Sequence, residues 1–223
     1  MKKKNIFIYL MASSLLLSGA VMTSCESMIE EKPFDFIVPE DVEDSDNGAD
    51  MWVTGVYNTL HEAMFRYGSF PRPLDYDCDY ISGAVWQFSQ FGSGNFQGGD
   101  GQADVLWTGM YSLINRANIA VSEINKMQNV SEALGECYFL KAWAYFYLVR
   151  AYGAIPIYSV SVNESGQYTN NPRIPIAQVY TETIIPLLKD AKDMIYKNSD
   201  NGFKPGRVCA ATAAGLLAKV YAT

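Results

Sequence analysis

Between Tyr67 and Asp104 the chain gathers the side chains best suited to recognition chemistry. The stretch PRPLDYDCDYISGAVWQFSQFGSGNFQGGDGQ carries closely spaced Asp75, Asp77 and Asp79, the rings of Tyr76, Tyr80, Trp86, Phe88, Phe91 and Phe96, the amide of Asn95 and a run of glycines. Aromatic rings stack on the apolar faces of sugar rings, while Asp, Asn and Gln hydrogen-bond hydroxyls. Glycines that expose both together suit a carbohydrate or another small polar ligand. A segment this long without periodicity is usually functional or disordered, and its ring content argues against disorder. The competing reading is that the rings plug the segment onto helices beneath it. We expect at least one of Trp86, Phe88, Phe91 and Phe96 to be exposed.

Other chemistries find little material. Asp75, Asp77 and Asp79 begin like a calcium loop, but Tyr80 stands where the turn glycine belongs and Trp86 where the bidentate glutamate belongs. Gly92, Gly94, Gly98, Gly99 and Gly101 lack both the dinucleotide spacing and a following Lys-Ser/Thr, so they form no phosphate cradle. His61 is the only histidine, which leaves nothing for a histidine-based triad or a multi-histidine metal site. Cys25, Cys78, Cys137 and Cys209 show no CxxC or CxxH spacing. Cys137 and Cys209 sit in helical patterns and read as core thiols, with one disulfide left open. No cofactor is expected.

Helices must position that segment. Ser45–Arg66 predicts a first helix, with Val53, Val56, Tyr57, Leu60 and Met64 on one stripe. Ala103–Met127 predicts a second, with Trp107, Met110, Tyr111, Ile114, Ala117, Val121 and Ile124 buried and Asn129 closing it. Ser131–Tyr152 is the centre. Leu134, Cys137, Tyr138, Tyr145, Leu148, Val149 and Tyr152 form one stripe and Phe139, Trp143 and Phe146 another, so neighbours must cover it on several sides. Ser131 is the expected N-cap, Gly153 the left-handed residue after the C-terminus, and Pro156 the stop. A fourth helix spans Ile176–Tyr196, with Val179, Ile184, Leu187, Leu188, Ala191 and Ile195 inward and Pro186 expected to bend or interrupt it. A fifth, RVCAATAAGLLAKVY from Arg207 to Tyr221, runs on to Thr223 with no capping close, as in a chain cut within its fold. Such pairs predict an all-α, tetratricopeptide-like packing of antiparallel helices with one long irregular loop, although no strict repeat is visible.

The first residues address the chain to export. Lys2, Lys3 and Lys4 precede an apolar run, Ile6–Leu17, too short to span a bilayer. Small residues then lead to Cys25 in SGAVMTSC, which resembles a bacterial lipobox with Cys25 as the lipidated residue. We therefore expect a signal peptide at 1–24, a lipidated tether at 25–44 and a helical domain at 45–223. The tether is acidic and broken by Pro33 and Pro39; Glu30 and Glu31 resemble a surface-export signal, or are merely solvated. Residues 1–24 hold three lysines and no acid, so the formal charge of -7 becomes -10 on cleavage. An acidic surface of that kind argues against nucleic acid as a partner.

Four blocks carry a resemblance to a known family. They are SGAVMTSC, WTGMYSLINRAN (107–118), GECYFLKAWAYFYLVRAYGAIPI (135–157) and GRVCAATAAGLLAKVY (206–221), with VYTETIIPLLKDA (179–191) in matching order. Together they resemble the amino-terminal half of the SusD/RagB outer-membrane nutrient-binding lipoproteins of Bacteroidota. The resemblance implies a surface lipoprotein, not an enzyme, that lids a SusC-like TonB-dependent transporter and hands it oligosaccharides or other nutrients. It also implies ligand contacts in the long loop, which singles out Asp77, Asp79, Trp86, Phe88, Phe91, Asn95 and Phe96. Pro186 departs from the family pattern, where an acid is usual. Two rivals remain: a lipid-anchored glycan-degrading enzyme with Asp77 and Asp79 as its acids, and a lipoprotein scaffold that binds no ligand. Carboxylates at i and i+2 rarely reach one glycosidic bond from both sides.

Overall fold

The 22 residues of α3 (Ser131–Tyr152) pack against neighbours on most of their circumference, as their doubled apolar stripe requires. The computed structural model describes residues 42, 47–65, 101–160, 171–197 and 202–223, all inside the unit Pro39–Thr223. Before α3 come α1 (Gly48–Phe65) and α2 (Gly101–Ile124). After it come α4 (Ile176–Val179), a π-helical turn (Tyr180–Ile184), α5 (Ile185–Met194) and α6 (Ala210–Tyr221). The main contacts run between sequence neighbours, α1 on α2, α2 on α3, α3 on α5 and α5 on α6. The expected all-α class is what the described residues show, with one isolated antiparallel bridge between Ile155 and Ile174.

Burial refines the predicted stripes. Cys137, Phe139, Leu140, Tyr145, Phe146, Leu148 and Val149 are core residues of α3, joined by Met110, Leu113, Ile114 and Ala117 of α2 and by Leu188 and Ala191 of α5. Tyr138, Trp143 and Tyr152, expected inside, are only half-buried, as are Trp107, Tyr111 and Val121 on α2. Two charged side chains are inside instead, Glu136 and Lys141. Cys137 and Cys209 are buried free thiols, so no bridge joins them. Burial, and then the charge of Glu136, raises the Cys137 thiol to about 12.

Helix ends correct several expectations. Ser131 is not the N-cap: Val130 holds that position, since the Leu134 N–H closes the first turn onto the Val130 carbonyl at 3.0 Å, and its apolar side chain offers no cap. The reversal before it is made by Asn129 with φ 56°, a left-handed conformation that Asn tolerates. Gly153 has the expected positive φ, 73°, but with ψ -126° it is the C-cap itself rather than a left-handed residue beyond it, and it donates its N–H to the Val149 carbonyl at 3.0 Å. The fifth predicted helix starts at Ala210 rather than Arg207, because Arg207 is drawn into a polar cluster and Cys209 N–H bonds Thr212 Oγ1 at 3.4 Å. Pro186 does not break its helix. The turn before it widens to the i→i+5 pattern at Tyr180–Ile184, and α5 begins with Pro186 in its first turn, where no intrahelical N–H partner is needed.

Buried Glu136 organises a polar lock between α1, α3 and the lead-in to α6. Tyr57 Oη donates to Glu136 Oε2 at 2.7 Å, and Arg207 Nη1 lies 3.2 Å from Glu136 Oε1 and 2.7 Å from Asp50 Oδ1. Lys204 Nζ reaches Asp50 Oδ1 at 2.7 Å, Arg207 Nη2 donates to Thr54 Oγ1, and Val208 N–H donates to Tyr57 Oη at 3.0 Å. The Arg207 guanidinium also lies over the Tyr57 ring, 5.3 Å from its centroid, close enough for a cation–π attraction. Burial raises the Glu136 carboxyl above its ordinary range, against the pull of Tyr57 and Arg207. For Asp50 burial acts in the same sense, but Lys204 and Arg207 together outweigh it and hold the carboxyl below 3.8.

These contacts set two expected outcomes. A Cβ on Gly135 would lie 2.7 Å from Ile195 Cγ1 and 2.9 Å from Met194 Cβ. Gly135→Ala should therefore force α3 and the end of α5 apart and cost about 1–3 kcal/mol in urea unfolding; an unchanged midpoint would show that the contact yields freely. Arg207→Met should cost about 3 kcal/mol by leaving Glu136 with one partner, and Glu136→Gln added to it should recover a large part. The pH dependence follows from the signs. An acid raised on folding loses stability as pH rises from its ordinary 4.5 towards its folded value, because the unfolded chain releases the proton first. Asp50, lowered, contributes stability that is present above 3.8 and is lost as pH falls below that value towards its folded pKa. Urea midpoints should accordingly fall from pH 4.5 upward, and Glu136→Gln should flatten that limb; an equally steep limb in the variant would remove Glu136 as its source.

Candidate functional site

A cleft of about 230 Å³ opens between α2 and the segment after α3. Trp107, Tyr111, Ile114, Asn115 and Asn118 line it from α2, and Pro156 and Tyr158 from the other side. The α2 residues recur at three- and four-residue spacing, so they share one face over three turns, about 16 Å of helix. Trp107 and Tyr111 are tilted with centroids 4.8 Å apart, Tyr152 meets Trp107 edge-on at 5.0 Å, and Tyr158 meets Tyr111 edge-on at 5.7 Å. Arg173 lies over the Trp107 ring at 5.2 Å.

The opposite wall is held by side chains that satisfy its backbone. Tyr111 Oη donates to the Pro156 carbonyl at 2.8 Å, and the Asn118 amide donates to the carbonyls of Tyr158 and Val160 at 3.1 and 2.9 Å. Buried Tyr145 donates to the Tyr158 carbonyl at 3.1 Å and accepts the Tyr158 N–H at 2.9 Å. Arg173 caps the Ala154 carbonyl at 2.7 Å and Asn171 the Ile157 carbonyl at 2.8 Å. Nearby, Lys141 Nζ reaches the Ser159 carbonyl at 3.4 Å. A loop would otherwise leave these groups to water, so the wall stands preformed before any ligand arrives.

Electrostatically the cleft is neutral. None of its lining side chains is an acid or a base of the Asp, Glu, His, Lys or Arg type. Burial, then the neighbouring phenols of Tyr145 and Tyr158, pushes the Tyr111 hydroxyl up, so it stays a donor. Burial alone lowers Lys141 to about 8. The cleft can stack and hydrogen-bond a ligand; its lining holds no group to accept or deliver a proton near neutral pH. Among the described residues, no group of three or more His, Cys, Asp or Glu side chains is arranged to hold a metal ion, and no helix is long and apolar enough to cross a membrane.

The residues singled out in the sequence fall differently. Asp77, Asp79, Trp86, Phe88, Phe91, Asn95 and Phe96, with Cys25 and Cys78, lie outside the described residues. His61 is described and sits exposed on α1. Trp107, Tyr111, Asn115, Asn118 and Tyr158 were not expected to meet in a cleft. The signal on α2 was the amide pair on the same stripe as the rings; nothing in the sequence places Pro156 and Tyr158 opposite them.

Known proteins share the helical frame and are similar to this chain in sequence. The family described as SusD-like, "starch-binding associating with outer membrane", matches residues 31–222. SusD-like protein P38 of Formosa agariphila is 27% identical over 211 residues, covering 91% of this chain and 40% of its own length. Among solved structures, one determined with xylogluco-oligosaccharide superposes with a TM-score of 0.67 at 24% identity, over 78% of this chain and 34% of that one. A laminarin-binding SusD-like protein superposes with a TM-score of 0.65 at 19% identity, over 80% of this chain and 40% of that one. Those two likenesses establish the shared helical fold, and the chain spans about two fifths of the length of the relative it matches. With the family match running from ahead of α1 through the end of α6, this chain belongs to the SusD-like family.

Proposed function

We propose that this chain is the amino-terminal part of a lipid-anchored protein of the outer membrane that captures glycans, or other nutrients, and passes them to a SusC-like TonB-dependent transporter without chemically altering them. The family match over residues 31–222 carries this reading, since that family is described as starch-binding and associated with the outer membrane. Two fold neighbours point the same way, one solved with xylogluco-oligosaccharide and one described as laminarin-binding. Residues 1–24 act as the export signal, Cys25 carries the lipid, 25–44 tether the body at the cell surface, and 45–223 form the helical domain. Asp77, Asp79, Trp86, Phe88, Phe91, Asn95 and Phe96 supply ligand contacts. Each stacked ring contributes about 1–3 kcal/mol, by analogy with aromatic stacking on bases.

Affinity electrophoresis in gels containing xyloglucan, laminarin or starch tests the capture step. The protein should be retarded by at least one of them, and Trp86→Ala should restore most of its free mobility. Free mobility in every gel would count against glycan capture, and shortening of the polysaccharide would make the protein an enzyme. The anchor has its own test. Cys25→Ala should move the protein from the outer-membrane fraction to the soluble fraction, whereas unchanged fractionation would place the attachment elsewhere.

A further inference from the structure

The cleft on α2 calls for an occupant of its own. Its lining runs from rings to amides along one helix face, Trp107 and Tyr111 followed by Asn115 and Asn118, and Tyr158 closes it from the facing segment. No lining side chain carries a charge, and the Arg173 guanidinium at its border is engaged by the Trp107 ring and the Ala154 carbonyl. The lining is not purely hydrocarbon either, which sets it apart from a site for an acyl chain. Flat apolar rings beside amides match a neutral ring with an apolar face and hydroxyls at its rim. At about 230 Å³ the cleft falls below the usual range for larger ligands, roughly 300–1,000 Å³. It therefore suits one ring of a longer chain rather than a whole oligosaccharide. Trp107, Tyr111, Asn115 and Tyr158 are half-buried, so that ring can enter from solvent.

We propose that the α2 cleft is a carbohydrate subsite distinct from the 67–104 segment, taking one neutral pyranose ring against Tyr111 and Tyr158 with hydroxyl contacts to Asn115. The subsite rests on the glycan-capture reading and extends it: a glycan held both in the loop and on the helical body is held in a defined direction. The preformed wall supports this role. Tyr158 is pinned through its backbone by Asn118 and Tyr145, so its ring waits in place rather than being ordered by the ligand.

The test uses saturation-transfer NMR on the protein with methyl β-glucoside and methyl β-xyloside as single-ring probes, for wild type, Asn115→Trp and Tyr158→Ala. Asn115→Trp fills the cleft from a half-buried position. Tyr158→Ala removes a ring but keeps every backbone bond at that residue, so it serves if the larger side chain prevents folding; circular dichroism and a melting curve establish which variants are folded. Wild type should transfer saturation to at least one glycoside, Asn115→Trp should remove most of the transfer, and Tyr158→Ala should weaken binding about tenfold, the effect of losing one modest stacking contact. Full transfer in both cleft variants overturns the subsite, as does absence of transfer in wild type. Retardation of wild type in a polysaccharide gel then separates the two ideas: where it persists, glycan capture stands and only the subsite fails, and where it is absent too, the capture reading fails with it.

Discussion

The whole described fold depends on covering α3. A helix that is apolar on nearly its whole circumference cannot face water, and its neighbours meet that demand: α2 lies against one part of α3, α5 against another, and α1 and α6 complete the cover. Close approach is built into the contact. Gly135 lets α3 meet the end of α5 where any side chain would collide. Farther along, Tyr145 reaches out of the same buried face to hold the backbone of Tyr158 and so fixes the wall of the cleft. The cleft wall is thus an extension of the core.

Two charged side chains sit inside that cover. Glu136 is kept by Tyr57 and Arg207, which turns a desolvation cost into a link between helices far apart in sequence. A hydrophobic residue there could pack as well, but it would not tie the α6 lead-in to α1 through one atom set. Lys141 has a longer contact, 3.4 Å to the Ser159 carbonyl, and burial lowers its pKa. Both charges act where a helix meets a connecting segment, one at the lead-in to α6 and one at the cleft wall.

Where the proposed subsite and the proposed 67–104 contacts both hold glycan, recognition is divided between a helix face and a long loop. Helix faces hold side chains at set separations, whereas loops vary in length and content with little penalty to the core. Solved proteins that share this helical frame include one determined with xylogluco-oligosaccharide and one described as laminarin-binding.

Much of this was legible in the sequence, and the exceptions share a cause. Helix positions, the central place of α3, the turn at Gly153 and the family itself could be read from periodicity, local backbone preference and residue identity, all properties of short stretches. The burial of Glu136 could not, because its partners stand 79 and 71 residues away in sequence. Nor could the half-exposure of Trp107 and Tyr111, which share a stripe with core residues and differ from them only in what stands opposite. The widened turn at Tyr180–Ile184 was foreshadowed by Pro186, but only packing on α3 decided that the helix should bulge rather than break. Local chemistry determined which elements form; long-range packing decided which of their side chains meet, because a one-dimensional pattern specifies a helix face but not the surface it faces.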